Sequence, residues 1–403
     1  MGGYPRTNGI LHVDMNNFYA SVETLYAPAY RDVPMAVAGD KESRHGIILA
    51  KNMLAKARGV KTAEPIWQAM RKCPDLRILP PHHERYAMFS KMAKELYAQY
   101  TDQVEPFSLD ECWLDVTGSA RLFGCGREIA EDIRRRVKAE LGLTVSVGVS
   151  FNKVFAKLGS DYKKPDAVTE FGPEEMERII WGMPCEELLF VGPSTSKALH
   201  RHGIHTIGDI ARMDMAVMRR LLGRMGETLW VYANGLDDTP VQRLGEGQGP
   251  KSIGSSTTLP RDITQEADIR ATLFGLAETV ARQLRGQGLK AGEVQITVRN
   301  KDFQEFQRQT RLAAPVCDSR SLYRAALELY HREDKKWEVR LLGVRAGRLT
   351  PAGESQVSLF EAADGLERLE KLESAVDRVR ERFGSGCIDR AFVMQGRRGD
   401  KPG

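Results

Sequence analysis

ILHVDMNNFYASVETL, residues 10–25, opens on an apolar run that is too short for a helix and ends on a carboxylate. Ile10 to Val13 reads as a buried strand delivering Asp14 to a site, and Phe18 to Leu25 reads as the start of a helix. Further along, Val104 to Val116 gives a second strand signal, with Phe107, Leu109, Trp113 and Leu114 surrounding Asp110 and Glu111. A third strand signal, Leu143 to Val149, carries Gly148 near its end and precedes a helical stretch, Asn152 to Leu158. Between the second and third, Ile129 to Leu141 places Ile129, Ile133 and Val137 at four-residue spacing among charges, the pattern of an amphipathic crossover helix. Strands and helices thus alternate, which predicts an α+β core of ferredoxin-like type.

At 403 residues the chain is long enough for two to four domains. The segment 171–235 lacks strand alternation and is punctuated by glycine, so a separate helical domain is expected there. Leu244 to Pro250, LGEGQGP, has the composition of a linker. Beyond it alternation returns: Val294, Ile296 and Val298 face one way, while Gln295, Thr297, Arg299 and Lys301 face the other. One face would pack and the other would be free to meet a phosphate backbone. The tail carries Gln356-Val-Ser-Leu-Phe360 and then an amphipathic helix marked by Leu366, Leu369, Leu372, Val376, Val379 and Phe383.

Hydrophobic residues make up 42% and charged residues 28%, which excludes a disordered chain. No run of about eighteen apolar residues occurs, and Met1 to Asn8 has no basic-then-apolar layout, so a cytoplasmic protein is expected. The six cysteines, at 73, 112, 125, 185, 317 and 387, show neither a CxxC pair nor a histidine at ligand spacing. Neither a disulfide framework nor a zinc site is therefore expected. Net charge is +5, but residues 241–350 hold 19 Lys and Arg against 13 Asp and Glu, a local +6 that suits a phosphate-backbone partner.

Asp14 taken alone reads as a cap on the following helix. Asp110 and Glu111 change that reading, because adjacent carboxylates in an apolar hairpin repel unless a cation neutralises them. Successive strand residues point to opposite faces, so both can serve one site only near a hairpin tip. Surface exposure is the alternative for that pair. Three carboxylates brought together by neighbouring strands form an oxygen-rich site suited to Mg²⁺ and to phosphoryl transfer with two ions.

The runs His12 to Glu23, Phe107 to Glu111 and Val147 to Lys157 together resemble the Y-family DNA polymerases, most nearly their DNA polymerase IV branch, and the resemblance extends in order over about residues 9–350. It implies a template-directed DNA polymerase acting on primer-template DNA and dNTP, error-prone on damaged templates and without proofreading. It also implies two Mg²⁺ ions held by Asp14, Asp110, Glu111 and the carbonyl of Met15. Tyr19 matches the steric gate against a 2′-OH, with Phe18 beside it, and Lys164 matches the lysine that reaches the triphosphate.

The implied parts are a palm (8–30 and 76–170), small fingers (31–75), a helix-hairpin-helix thumb (171–236), a linker (237–247), an α/β little finger (248–350) and a tail (351–403). Thumb hairpins at Phe190 to Thr195 and Leu222 to Gly226 would offer Gly192 and Gly223 to DNA, as the little finger would offer Arg299 and Lys301. Gln356, Leu359 and Phe360 look like a sliding-clamp peptide. The fingers depart from the family, where a Tyr and an Arg commonly bind the triphosphate; here Met53 and Lys56 stand in those places, and Lys56 retains only the charge.

A monomer is expected. The alternatives are a catalytically inactive accessory relative that recruits other polymerases, and a nucleotide cyclase with a similar palm.

Overall fold

The computed structural model describes residues 8–39, 46–246, 249–333, 337–354, 363–384 and 387–388. The chain divides into two units, 1–247 and 248–403. In the first unit the strands run β1 (Ile10–Met15), β2 (Met35–Ala38), β3 (Ile48–Lys51), β4 (Arg77–Leu79), β5 (Val104–Pro106), β6 (Glu111–Asp115), β7 (Val145–Ser150) and β8 (Val168–Phe171).

One sheet has the order β5-β6-β1-β7-β8. β1 lies between β6 and β7, antiparallel to both, and β8 extends the far edge parallel to β7. The β5–β6 hairpin and β7, separated by the helix Gly126–Arg136, complete the split β-α-β-β-α-β arrangement that strand–helix alternation predicts. Strand alternation sorts β1 into two faces. Leu11, Val13 and Met15 join Tyr86, Phe89, Leu96, Ile129 and Ile133 in the main core. Each large side chain removed from water there contributes about 1.5–3 kcal/mol before entropy.

His12 and Asp14 point to the other face, where the helix Lys153–Tyr162 crosses the sheet. That crossing requires Gly148, because a Cβ built there would lie 1.8 Å from the Ala156 carbonyl oxygen.

The smaller sheet has the order β3-β2-β4 and carries the short helices Met53–Ala57 and Ile66–Lys72. β4 pairs parallel with β2, so residues 77–79, counted from sequence with the palm, pair into the sheet of segment 31–75. Residues 171–236 are helical after β8 ends, with the helices Pro193–His200, Ile207–Arg212, Met215–Leu222 and Arg224–Ala233 closing on a core of Ile207, Ile210, Met218 and Leu229. The segment read as a linker is partly docked. Val241 is buried, the Gln242 amide donates to Glu105 Oε2 at 2.9 Å, and the Leu244 amide donates to the Asp102 carbonyl at 3.3 Å.

In the second unit β9 (Ser252–Ile263), β10 (Leu289–Asn300), β11 (Glu305–Val316) and β12 (Val339–Pro351) form an antiparallel sheet of order β11-β10-β12-β9. The helices Glu266–Gly286 and Ser319–His331 contribute with the sheet to one core. Val294, Ile296 and Val298 are fully buried in it. The tail helix Ala363–Phe383 forms where expected, with its packed face rotated toward its charged side. Among its described side chains Glu373, Asp377 and Arg380 are buried, Leu369, Val376 and Val379 are partly buried, and Leu372 and Phe383 are exposed. Arg285 explains the rotation: its guanidinium, itself 9% exposed, meets Glu373 at 2.6 Å and Asp377 at 2.7 Å, and Arg380 meets Glu278 at 3.1 Å. Residues 356–360 lie outside the described residues. No helix among the described residues is long and apolar enough to cross a membrane.

Candidate active site

The end of β1 sets Asp14 directly opposite Glu111 in register, and both project on the face that the helix Lys153–Tyr162 crosses. Asp110 falls one residue earlier, in the turn before β6, which allows neighbouring carboxylates to approach one place. Ser108 holds that turn: its hydroxyl donates to Asp110 Oδ1 at 2.6 Å and accepts the Glu111 amide at 3.0 Å.

Two lysines answer these charges. Lys164 Nζ lies 2.7 Å from Asp14 Oδ2 and 2.6 Å from Asp161, and Lys157 Nζ lies 2.5 Å from Glu111 Oε1. Burial pushes the Asp14 carboxyl up to about 7; Lys164 opposes the shift and the facing Glu111 adds to it. Burial disfavours the Lys164 ammonium, but Asp14 and Asp161 outweigh it and raise its pKa above the usual lysine value. An acid buried against a second acid, with oxygen donors alone on offer, fits a hard divalent cation such as Mg²⁺. Asp110 is turned to Ser108, yet it lines the same cleft as Asp14.

From Met15 the chain turns sharply. Asn17 takes a left-handed conformation, φ 50°, which asparagine tolerates, and so the helix starts at once. Asn16 fixes the turn by donating to Ser146 Oγ at 2.9 Å and accepting the Asp166 amide at 2.8 Å. Phe18 is buried in the core and Tyr19 is half-buried. The Tyr19 ring stacks flat on Tyr86, with centroids 3.9 Å apart and planes at 10°. Tyr86 is itself pinned, because its hydroxyl donates to buried Glu23 at 2.6 Å, and Glu23 also meets His82 and Arg85, each at 2.9 Å.

A cleft of about 570 Å³ gathers Asp14, Met15, Phe18, Tyr19, Asp110 and Lys164 from the larger sheet and Leu49, Ala50, Lys51 and Thr62 from the smaller one. Lys51 is the residue the sequence reading misses. Its ammonium donates to Thr62 Oγ1 at 2.8 Å, and burial, reinforced by the charge of Lys56, lowers its pKa. Lys56, assigned to this role from sequence, is exposed on the helix Met53–Ala57 and is absent from the cleft lining; Met53 is 41% exposed. The available signal was a lysine closing the otherwise apolar strand ILAK of β3.

Gly192 and Gly223 are both exposed at helix starts. Pro193 takes the first helical position, where its missing N–H costs nothing. Gly223 has φ 64°, a left-handed turn between two helices that favours glycine. On the outer face of the second unit Arg299 pairs with Glu305 at 2.6 Å, whereas Lys301 falls in the turn after β10 rather than on the strand and pairs with Glu338 at 3.1 Å. Arg345, directly opposite Gln295 on β12, and Arg311 on β11 are exposed cations that the sequence reading did not single out.

Residues 13–161 match the model of the impB/mucB/samB family, and residues 250–359 match that family's C-terminal domain. DNA polymerase IV of Acetivibrio thermocellus is 48% identical over 96% of this chain and 98% of that protein. DNA polymerase IV 1 of Bacillus subtilis is 36% identical over 96% of this chain and 93% of that protein. A solved Y-family DNA polymerase chimera shares the fold, with a TM-score of 0.76 at 24% identity, over 85% of this chain and 99% of that one.

Proposed function

The chain belongs to the Y-family DNA polymerases, in the DNA polymerase IV branch, and from that premise we propose that its cleft copies template DNA by metal-assisted nucleotidyl transfer, including across damaged bases. The observation that carries this reading is that Asp14 and Asp110 line one cleft with a tyrosine and two lysines, while Glu111, outside that lining, faces Asp14 across the β1–β6 pair. Asp14, Asp110, Glu111 and the Met15 carbonyl would hold Mg²⁺. When bound, Mg²⁺ lowers the pKa of the primer 3′-OH and neutralises charge on the leaving pyrophosphate.

The protein's own groups do the rest. Lys164 holds a triphosphate as a flexible point charge, and Lys51 does the same from the smaller sheet. Tyr19, backed by Tyr86, occupies the space a 2′-OH would need. Met15 and Asn16 are locked to the hairpin and to β7 through the Met15 amide to the Asp110 carbonyl (3.0 Å) and the Asn16 amide to the Thr144 carbonyl (2.8 Å), so ligands and gate move as one body. In parts, 8–30 and 76–170 act as palm, except that residues 77–79 belong with the fingers (31–75) into whose sheet they pair, 171–236 as thumb, 237–247 as linker and 248–350 as little finger. The short strands and helices of the fingers support tolerance of misshapen template bases. Thumb hairpins at Gly192 and Gly223 and the outer sheet face with Arg299, Lys301, Arg311 and Arg345 meet the DNA backbone. Surface ion pairs such as Arg299–Glu305 contribute little, so a phosphate can replace the carboxylate.

Because Lys51 lines the cleft and Lys56 does not, Lys51→Ala raises the KM for dNTP by about tenfold with a smaller change in kcat, the loss of about one phosphate contact. Lys56→Ala leaves both near the wild-type values. Steady-state primer extension checks this, and the reverse ranking would return the role to Lys56.

Gln356, Leu359 and Phe360 would bind a sliding clamp, tethering a polymerase that otherwise releases DNA after few additions. Replacing all three with Ala removes stimulation by a loaded clamp and leaves extension of a short primer-template and the melting temperature unchanged. A fall in both would show that the segment holds the second unit together instead.

A further inference from the structure

Cys185, Glu186 and His200 lie in the helical segment and take no part in the reaction. The sequence gives them no metal-like spacing, but the fold closes the gap of fifteen residues between the cysteine and the histidine. Cys185 opens the turn Cys185–Glu187, where its amide is bonded to the His205 carbonyl at 2.8 Å, and His200 ends the helix Pro193–His200. Both positions are therefore fixed by backbone structure.

Their donor atoms converge. His200 Nε2 lies 3.7 Å from Cys185 Sγ and 3.0 Å from Glu186 Oε1, and Cys185 Sγ lies 3.5 Å from Glu186 Oε2. A tetrahedral zinc ion with bonds of about 2.3 Å to sulfur and about 2.0–2.1 Å to nitrogen and oxygen holds its ligands about 3.3–3.6 Å apart. The sulfur–nitrogen edge is close to that spacing, and the Glu186 carboxylate turns one oxygen to each of the other two donors, Oε1 to His200 and Oε2 to Cys185. Ser196 Oγ donates to Glu186 Oε1 at 2.5 Å, the kind of outer hydrogen bond that orients a ligating carboxylate. Alongside opens a recess of about 690 Å³ lined by Glu186, Ser196, Lys197, His200 and Arg201, which gives an ion access and leaves its fourth position to solvent.

We propose that Cys185, Glu186 and His200 bind one zinc-class divalent ion. A half-exposed His–Glu pair accounts for two of the donors without an ion, but it does not need a buried thiol at the same point. The ion joins the two sides of the hairpin that presents Gly192, so it braces that loop. Metal uptake is measured here independently of DNA synthesis, and the site stands or falls whether or not the cleft reading holds.

The test uses the full chain, stripped of metal and carrying Cys125→Ser and Cys387→Ser to remove the exposed thiols, with Co²⁺ and then Zn²⁺ as probes. The expected result is a thiolate-to-cobalt absorption band that saturates at one Co²⁺ per chain, apart from any ion taken up by the cleft carboxylates, displacement of the band by Zn²⁺, and a melting temperature raised by several degrees in zinc. Cys185→Ser and His200→Gln each remove the band and the zinc-dependent shift. His200 is half-exposed, so its variant carries the test even if the buried Cys185→Ser substitution disturbs folding. Absence of the band in the parent, or its persistence in His200→Gln, overturns the proposal.

Discussion

Asp110→Asn and Glu111→Gln each lower Mg²⁺-dependent primer extension by about a thousandfold or more, while affinity for primer-template DNA stays near the wild-type level. The size follows from the role, since loss of a single preorganised donor to developing charge already costs about 10²–10³ in rate. Amide variants keep the shape, so Ser108 still supports the turn and Lys157 is not left beside a void. Asp14→Asn behaves alike, and in the wild type Asp14 adds a pH signature that this variant lacks. Its carboxyl, pushed up to about 7 by burial, holds a proton below that pH, and a metal ion must displace it. The Mg²⁺ concentration for half-maximal rate therefore rises as pH falls below about 7, by up to about tenfold per pH unit for one displaced proton. Rates measured across Mg²⁺ concentrations a pH unit either side of that value check the sign. A requirement independent of pH would remove Asp14 from the ligand set.

Tyr19→Ala admits ribonucleotides, with discrimination against them falling by about 10²–10³, or about 3–4 kcal/mol of differential barrier. The ring is held from behind by Tyr86, which Glu23 keeps in place, so it cannot swing away from a 2′-OH. Truncation opens the space without touching Asp14. Tyr19→Phe keeps the ring and keeps the discrimination, which separates exclusion by the ring from any effect of the hydroxyl. The measurement is kcat/KM for a dNTP against the matching ribonucleotide in all three proteins. Unchanged discrimination in Tyr19→Ala would place the gate elsewhere.

Much of this was legible because a short strand ending on a carboxylate leaves little freedom. Ile10 to Val13 had to be buried, alternation put Asp14 on the face opposite Leu11 and Val13, and a hairpin tip was the one place where Asp110 and Glu111 could serve together. The same alternation placed Val294, Ile296 and Val298 in the second core. What was not legible depends on long-range contacts. Lys51 and Lys56 are both cations in one segment, and only the pairing of β3 with β2 decides which reaches the cleft. Tyr86 reads as an ordinary core aromatic until Tyr19 is seen against it. The apolar stripe of the tail helix is only partly buried, at Leu369, Val376 and Val379, because Arg285, far away in sequence, draws Glu373 and Asp377 in beside it. Neither the Gly-rich composition of 244–250 nor the linker span 237–247 that the resemblance implies showed that Val241 and Gln242 dock on β5 and its approach.

Whether the cleft copies template DNA is tested by primer extension with the purified wild-type chain and Mg²⁺, supplying one dNTP at a time opposite each of the four template bases and opposite a damaged base. Addition governed by the template base is expected, continuing across the damaged position, and lost in Glu111→Gln made in parallel. Binding of the primer-template with no Mg²⁺-dependent addition, or equal addition by wild type and Glu111→Gln, would contradict it.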